Sequence, residues 1–316
     1  MRSVCVVGLG LIGGSVLRAA ARAGRVAWGA TASRADAEAA RADGHDVVDL
    51  AEALDRAREQ DALVVVAVPL PAVEEVLRAL PEGVRLTDVV SVKGPVADLV
   101  ERVAPHARYV GGHPMAGTSA SGWSAGRADL FEGAAWVVTV DEGTDLDVLT
   151  DVTELALAAK AHVVPTTARE HDAAVARISH LPHLLAAVLA SVGADGGPLA
   201  LALAAGSFGD GTRVAGSRPE LVRAMCEGNR SALLDAVDDA LGRLGAARGS
   251  LASTGGLAKT IDVGHAGRMA LQNQPALSDL TLDLTAPDVL EALRDLGSAG
   301  GRIVGLNGTT VLARTP

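Results

Sequence analysis

The stretch SVCVVGLGLIGGS, residues 3–15, decides the fold. A short run of Val and Cys ends abruptly in glycines, and a helix-like stretch follows over Gly13–Ala23. Gly8, Gly10 and Gly13 stand in the spacing G-x-G-x-x-G. In a strand–turn–helix unit the first glycine permits the tight turn and the second lets backbone amides approach a pyrophosphate. The third lets helix pack on strand, while the helix N-terminus favours the anion. The strand before the glycines and the helix after them supply the context that the motif needs. Gly8, Gly10, Leu11, Ile12 and Gly13 are therefore candidate cofactor-binding residues.

Moving outward, further strands are expected at VAWGA (26–30), ALVVVAV (62–68), RLTDVV (85–90), ARYVGG (107–112), AWVVTV (135–140) and HVVPTT (162–167). The run at 62–68 is continuously apolar, as for a parallel strand buried on both faces. Val68 and Pro69 close it and join the candidate cofactor set. Strands alternating with helices give an α/β, doubly wound, Rossmann-like domain over residues 1–167. From Arg169 to about Gly249 the pattern becomes helix after helix, with apolar residues three and four apart and Pro182 as an expected kink. Residues 168–316 are read as an all-helical dimerisation and substrate domain ending in a short strand–helix–strand–strand tail. Its apolar content exceeds what one helical layer buries against itself, so a homodimer through this region is expected.

Composition narrows the function. The chain has 316 residues, 49% hydrophobic and 21% charged, an ordinary globular mix long enough for two domains. Aromatics are 2%, so the core is built from Ala, Val and Leu. The formal net charge is −10 with no basic run, which speaks against nucleic acid. Two cysteines make no disulfide framework. No membrane-length apolar run is apparent, and the sequence opens on a strand with no room for a leader, so a cytoplasmic protein is expected.

The cofactor's identity is read at the end of the second strand. An NAD site expects Asp or Glu there. This chain has Thr31, Ala32, Ser33 and Arg34, and no acid before Asp36. Hydroxyls and a guanidinium suit a 2′-phosphate, which an acid would repel. NADP is therefore expected ahead of NAD, with Thr31, Ser33 and Arg34 as ligands. Ser33 can serve as a helix N-cap at the same time.

Other chemistry-bearing residues sit at strand ends or in glycine-rich breaks. They are Ser91 and Lys93 in DVVSVKG (88–94), His113 in GGHPMAGTSASG, and His180 and His183 in SHLPH. Asp210 and Arg213 lie in SFGDGTRVAGSRPE. In an open α/β sheet, ligands bind beyond the carboxyl ends of strands. His180 reads as a core histidine, while Ser91 could instead cap the helix after Pro95 and Lys93 could be solvated. Asp172 reads as an N-terminal dipole partner of its own helix.

The motifs GLGLIGGS, DVVSVKG, GGHPMAG, HD…SHLPH and GDGTRVAGSRPE, in that order, resemble the prephenate/arogenate dehydrogenase family of tyrosine biosynthesis over residues 1 to about 250. The resemblance implies an oxidative decarboxylation: hydride leaves C4 of a cyclohexadiene for the nicotinamide, the C4 hydroxyl loses its proton, and loss of CO2 makes the ring aromatic. A base of near-neutral pKa suits that step. His113 is the expected base, and Ser91 is expected to bond the same hydroxyl or the imidazole. Arg213 would grip a substrate carboxylate, oriented by Asp210, and His183 would line the pocket from the helical side. Ser119 stands where many members carry an acid, and Val222 where some carry a tryptophan, so side-chain recognition departs from the common pattern. The extended HPMAGT segment with an NADP-like loop leans toward arogenate over prephenate, with 4-amino-4-deoxyprephenate as a rarer alternative. A hydroxyacid-type dehydrogenase would place a lysine on the long interdomain helix, where this chain has histidines. An NADP-sensing binding protein would need neither His113 nor Arg213.

Overall fold

The computed structural model describes residues 2–118 and 120–316. Its first half reads β1 (Val4–Val7), α1 (Leu11–Arg22), β2 (Ala27–Ala30), α2 (Arg34–Ala42), β3 (Asp46–Val47), α3 (Leu50–Glu59), β4 (Leu63–Val66), α4 (Leu70–Arg78), β5 (Arg85–Asp88), α5 (Gly94–Val103) and β6 (Arg108–Tyr109). These strands form one parallel sheet in the order β3-β2-β1-β4-β5-β6. The order reverses between β1 and β4, and that switch point opens the crevice in which such sheets bind dinucleotides. Both central strands are buried along their whole length, as their unbroken Val runs require.

The expected single sheet is in fact two. The run 107–112, read as one strand, breaks at Val110–Gly111 into β6 and β7 (Gly112–Pro114). Gly112 passes so close beneath β5 that a Cβ on it would lie 2.7 Å from the Asp88 carbonyl oxygen. Only glycine permits that crossing. There follow β8 (Ala135–Thr139), α6 (Leu146–Ala158) and β9 (His162–Thr166). His113 thus sits in a short strand paired antiparallel to β8, opposite Val137, rather than in a bare loop.

The helical region comprises α7 (Ala168–Val175), a π-helical turn (Ala176–His180), α8 (Leu181–Asp195), α9 (Gly197–Ala202), α10 (Gly206–Thr212), α11 (Pro219–Gly228), α12 (Arg230–Ser253) and α13 (Ala258–Gln272). The break expected at Pro182 appears as the π-turn just before it, where the missing proline N–H interrupts the regular ladder. Val192, Leu199, Leu203, Leu244, Ile261 and Leu271 are 61–73% exposed, so this region leaves much apolar surface uncovered. Against the expectation of no membrane-length apolar run, the continuous helical run Ala168–Asp195 holds an 18-residue window of mean hydropathy 1.4, enough by length and composition to cross a membrane. Yet its first half buries His171, Asp172 and His180 among polar partners.

The tail forms β10 (Ser278–Asp283), α14 (Val289–Ser298), β11 (Arg302–Asn307) and β12 (Thr310–Thr315). It was assigned to the helical domain beginning at 168, but its strands complete the second sheet, β10-β12-β11-β9-β8-β7. Ile303 on β11 pairs with Val163 on β9, and Leu293, Leu296 and Val311 join the core that also holds Val6, Leu63 and Trp136. Burial of the apolar face of α14 drives that docking.

Candidate active site

The glycine loop is built as its spacing requires. Gly8 has φ +99°, and a Cβ on Gly13 would lie 1.8 Å from the Gly8 carbonyl oxygen. The space beside Gly10 is open for 4 Å, and Gly10 caps α1 with no side chain over the helix end. A dinucleotide pyrophosphate fits that cradle: the first N–H groups of α1, at Leu11 and Ile12, have no partner within the helix, and no side chain caps them. Half-buried Val68 and exposed Pro69 flank the crevice where β4 ends.

At the end of β2, Ser33 N-caps α2 by accepting the Asp36 N–H at 3.3 Å. Thr31 Oγ1 accepts the Ser33 N–H at 3.3 Å. The Arg34 side chain is 91% exposed and paired with Glu38 at 2.7 Å. A pair so exposed is worth about 0–1 kcal/mol, so the guanidinium is easily surrendered to a ligand.

The second feature is a chain of hydrogen bonds running from His113 into the helical region. His113 Nδ1 lies 2.8 Å from His171 Nε2, and His171 Nδ1 lies 2.8 Å from Asp172 Oδ1. Asp172 also accepts the backbone N–H groups of Lys93 and Gly94, each at 2.8 Å. Burial alone would raise its pKa, but these three contacts, with His171 foremost, outweigh burial and hold the carboxyl below its usual range. An ionised Asp172 only accepts, so His171 Nδ1 carries hydrogen. In neutral His171 the other nitrogen then accepts from His113 Nδ1–H. His113 is left with its lone pair on Nε2, the tautomer of a general base. Burial, then the neighbouring His171, Lys93 and His180, push the His113 pKa well below 6.5, which keeps that lone pair available.

Neither His171 nor Asp172 was singled out from sequence for catalysis. Asp172 caps α5, across the domain junction, rather than its own helix. The adjacent His-Asp pair just inside the Thr167 capping box was the one available signal. Lys93 is fully buried, which rules out the solvated alternative. It pairs with Asp88 and donates to the Gly112 carbonyl at 2.6 Å, while Tyr109 donates to the other Asp88 oxygen at 2.7 Å. This closed network fixes the backbone on which His113 stands. Burial lowers the Lys93 pKa, with Asp88 opposing. His180 is a buried histidine as expected, 3.1 Å from the Asn229 amide, which also donates to the Asp172 carbonyl at 2.8 Å.

Ser91 lies half-buried between β5 and α5, and its hydroxyl bonds to no other described residue. It does not cap α5, whose N-cap position is Lys93. His183 is half-buried at the start of α8, its Nδ1 donating to the Ser179 carbonyl at 2.9 Å. Arg213 is exposed at the head of a 3₁₀ turn packed on α8. Asp210 is exposed too, and no hydrogen bond joins it to Arg213, so the expected orienting contact is not formed. Ser119 lies outside the described residues.

Known proteins match both parts of the chain. The model for the nucleotide-binding domain of prephenate dehydrogenase matches residues 15–165, and the model for its dimerization domain matches 167–254. A Bacillus subtilis prephenate dehydrogenase is 35% identical over 251 residues, 75% of this chain and 67% of that protein. A Corynebacterium glutamicum crystal structure, provisionally described as a prephenate dehydrogenase, superposes with a TM-score of 0.87 at 44% identity, covering 95% of this chain and 98% of that one. An A. aeolicus prephenate dehydrogenase, solved with hydroxyphenyl propionate and NAD+, gives a TM-score of 0.76 at 25% identity over 86% of this chain and 98% of that one. With both domain models met in order along a Rossmann-like sheet and the helices that follow it, the chain belongs to the prephenate dehydrogenase family, dehydrogenases of cyclohexadienyl substrates.

Proposed function

We propose that the protein oxidatively decarboxylates a cyclohexadienyl carboxylate, arogenate ahead of prephenate, and passes the hydride to NADP+. The observation that carries the reading is the His113–His171–Asp172 chain beside the dinucleotide crevice. The bound nicotinamide supplies the hydride acceptor. His113 Nε2 takes the C4 hydroxyl proton as the hydride departs. The resulting imidazolium shares its charge through His171 with the Asp172 carboxylate, which stabilises the product of proton transfer where solvent is excluded. Ser91 Oγ, free of protein partners, orients the hydroxyl. Arg213 has no described ion-pair partner and offers its planar fork to a substrate carboxylate. His183 Nε2, left as an acceptor by the Ser179 bond, lines the pocket. Asp210 and Ser119 bear on the substrate side chain, where an acid at 119 would favour an ammonium group.

Thr31, Ser33 and Arg34 would hold the 2′-phosphate of NADP+. Support comes from the absence of an acid at the end of β2: the first one, Asp36, already holds the Trp123 amide at 2.8 Å. The uncovered apolar helices and the match to a dimerization domain support a homodimer. The test is reduction of NADP+ and NAD+ followed at 340 nm with arogenate, prephenate and a hydroxyacid panel. Turnover of the cyclohexadienyl acids alone, fastest with arogenate and NADP+, is expected. His113→Ala should bind cofactor normally and lose about 10²–10⁴-fold in turnover. Turnover of the hydroxyacids only, or a fully active His113→Ala, would end the proposal.

A further inference from the structure

A short segment downstream of the strand that bears His113 is strapped onto the cofactor half of the site. Residues 122–127 leave the stretch that follows β7 and lie across α1 and α2. Trp123 is 1% exposed there, with the Arg18 guanidinium stacked 3.5 Å from its ring centroid. Its backbone N–H donates to Asp36 Oδ1 at 2.8 Å, its indole N–H to Asp43 Oδ2 at 2.7 Å, and its carbonyl accepts from Arg18 at 3.1 Å. Further on, the Arg127 N–H donates to Ser15 Oγ on α1 at 2.9 Å.

Asp36 differs from the other anchors. Its own N–H bonds the Ser33 hydroxyl, and its side chain holds Trp123. One residue thus touches the turn read as the 2′-phosphate site and the segment whose other end is the strand bearing His113. Residues 115–118, just after that strand, belong to no helix or strand, so their order depends on how firmly the two ends are held. A charged acceptor on a half-buried amide is the stronger kind of tether.

We propose that Asp36 is a positioning residue that couples cofactor binding to substrate binding through Trp123. Ordering of the β2–α2 turn by cofactor fixes Asp36, which fixes the strap and with it the loop beside His113. The inference rests on the reading of that turn as the cofactor's ribose site.

The experiment measures substrate KM and kcat at rising concentrations of NADP+, and separately of NAD+, with tryptophan emission as a second readout. In the parent enzyme substrate KM should fall about fivefold or more as cofactor saturates, the low end of ordinary coupling between sites. Asp36→Ala should abolish that dependence, raise KM and shift Trp123 emission, with little change in kcat. Asp36→Asn keeps an oxygen for the Trp123 N–H and should restore the coupling. Asp36→Glu displaces the carboxylate by one methylene and should behave as the alanine variant; it serves if the latter does not accumulate. Asp43→Ala, which frees the indole N–H and one Arg18 contact but keeps the Asp36–Trp123 bond, should leave the dependence intact. No dependence in the parent, or its persistence in both Asp36→Ala and Asp36→Glu, would overturn the proposal, as would equal loss in Asp43→Ala. Coupling seen with NAD+ but weak use of NADP+ would sink the NADP assignment alone, because the Asp36–Trp123 bond needs no 2′-phosphate.

Discussion

Replacing Asp172 by Asn is the sharpest test of the proton-acceptor chain. Asparagine fills the same volume but brings one acceptor oxygen and one NH2. Three N–H groups point at Asp172: His171 Nδ1 and the Lys93 amide at Oδ1, and the Gly94 amide at Oδ2. If the new NH2 faces Gly94, a hydrogen bond to a charged group worth about 1.5–3 kcal/mol is lost, and so is the carboxylate charge. Two 2.8 Å hydrogen bonds and one imidazole ring separate that charge from His113, roughly 8 Å in all. At an effective dielectric of about 20 the lost attraction for a protonated His113 is about 2 kcal/mol, or ~30-fold in rate. If instead the NH2 faces His171, the tautomers invert along the chain. His113 Nε2 then carries hydrogen, and the loss approaches that of deleting the base, ~10²–10⁴-fold. The assay is kcat and kcat/KM against pH, with cofactor affinity and thermal melting as controls. Turnover should fall at least about 30-fold with cofactor affinity unchanged, and the acid limb of the profile should move to lower pH. A folded Asp172→Asn enzyme within about twofold of the parent would refute the tautomer argument and the electrostatic one together.

Three further outcomes are expected. Burial holds the His113 pKa well below its ordinary value and that of His180 near 4, whereas in the unfolded chain both titrate near 6.5; stability should be full above pH 6.5 and fall as pH drops toward 4, His180 alone contributing about 3 kcal/mol, read as melting temperature against pH. A melting temperature flat from pH 7 to 4.5 would contradict the burial of neutral imidazoles. Arg213→Ala should raise substrate KM steeply with a smaller change in kcat, and a purely kcat defect would remove it from carboxylate binding. Arg34→Asp should reverse cofactor preference toward NAD+, measured as the ratio of kcat/KM values, since it sets an acid against a 2′-phosphate; an unchanged ratio would place that phosphate elsewhere.

What could be read without the structure was local. The Val runs, the glycine spacing and the Ser33 cap each owe their meaning to neighbours within a few residues, and the structure has them as expected. The division of 107–112 between two sheets was hidden because both pieces look like one β run; the cause is the closeness of Gly112 to Asp88, two dozen residues earlier. Lys93 looked solvated because its counter-ion and its carbonyl acceptor come from different strands. Asp172 looked like a cap for its own helix because nothing in its vicinity reveals that the start of α5 packs against α7. Candidate groups on strand ends were therefore legible, and the groups that tune them through packing were not. The sequence likewise offered no sign that the tail returns to β9.

That return has a consequence for how the molecule is made. Val163 on β9 acquires its partner Ile303 only after the entire helical region has been synthesised. Until then the nascent chain carries an unpaired strand edge beside the half-finished second sheet, a segment prone to wrong pairing. The parallel sheet β1–β6, complete by Tyr109, has no such wait. Assembly on the ribosome is thus expected to proceed in two stages, with the nucleotide crevice formed early and its companion sheet sealed at the end.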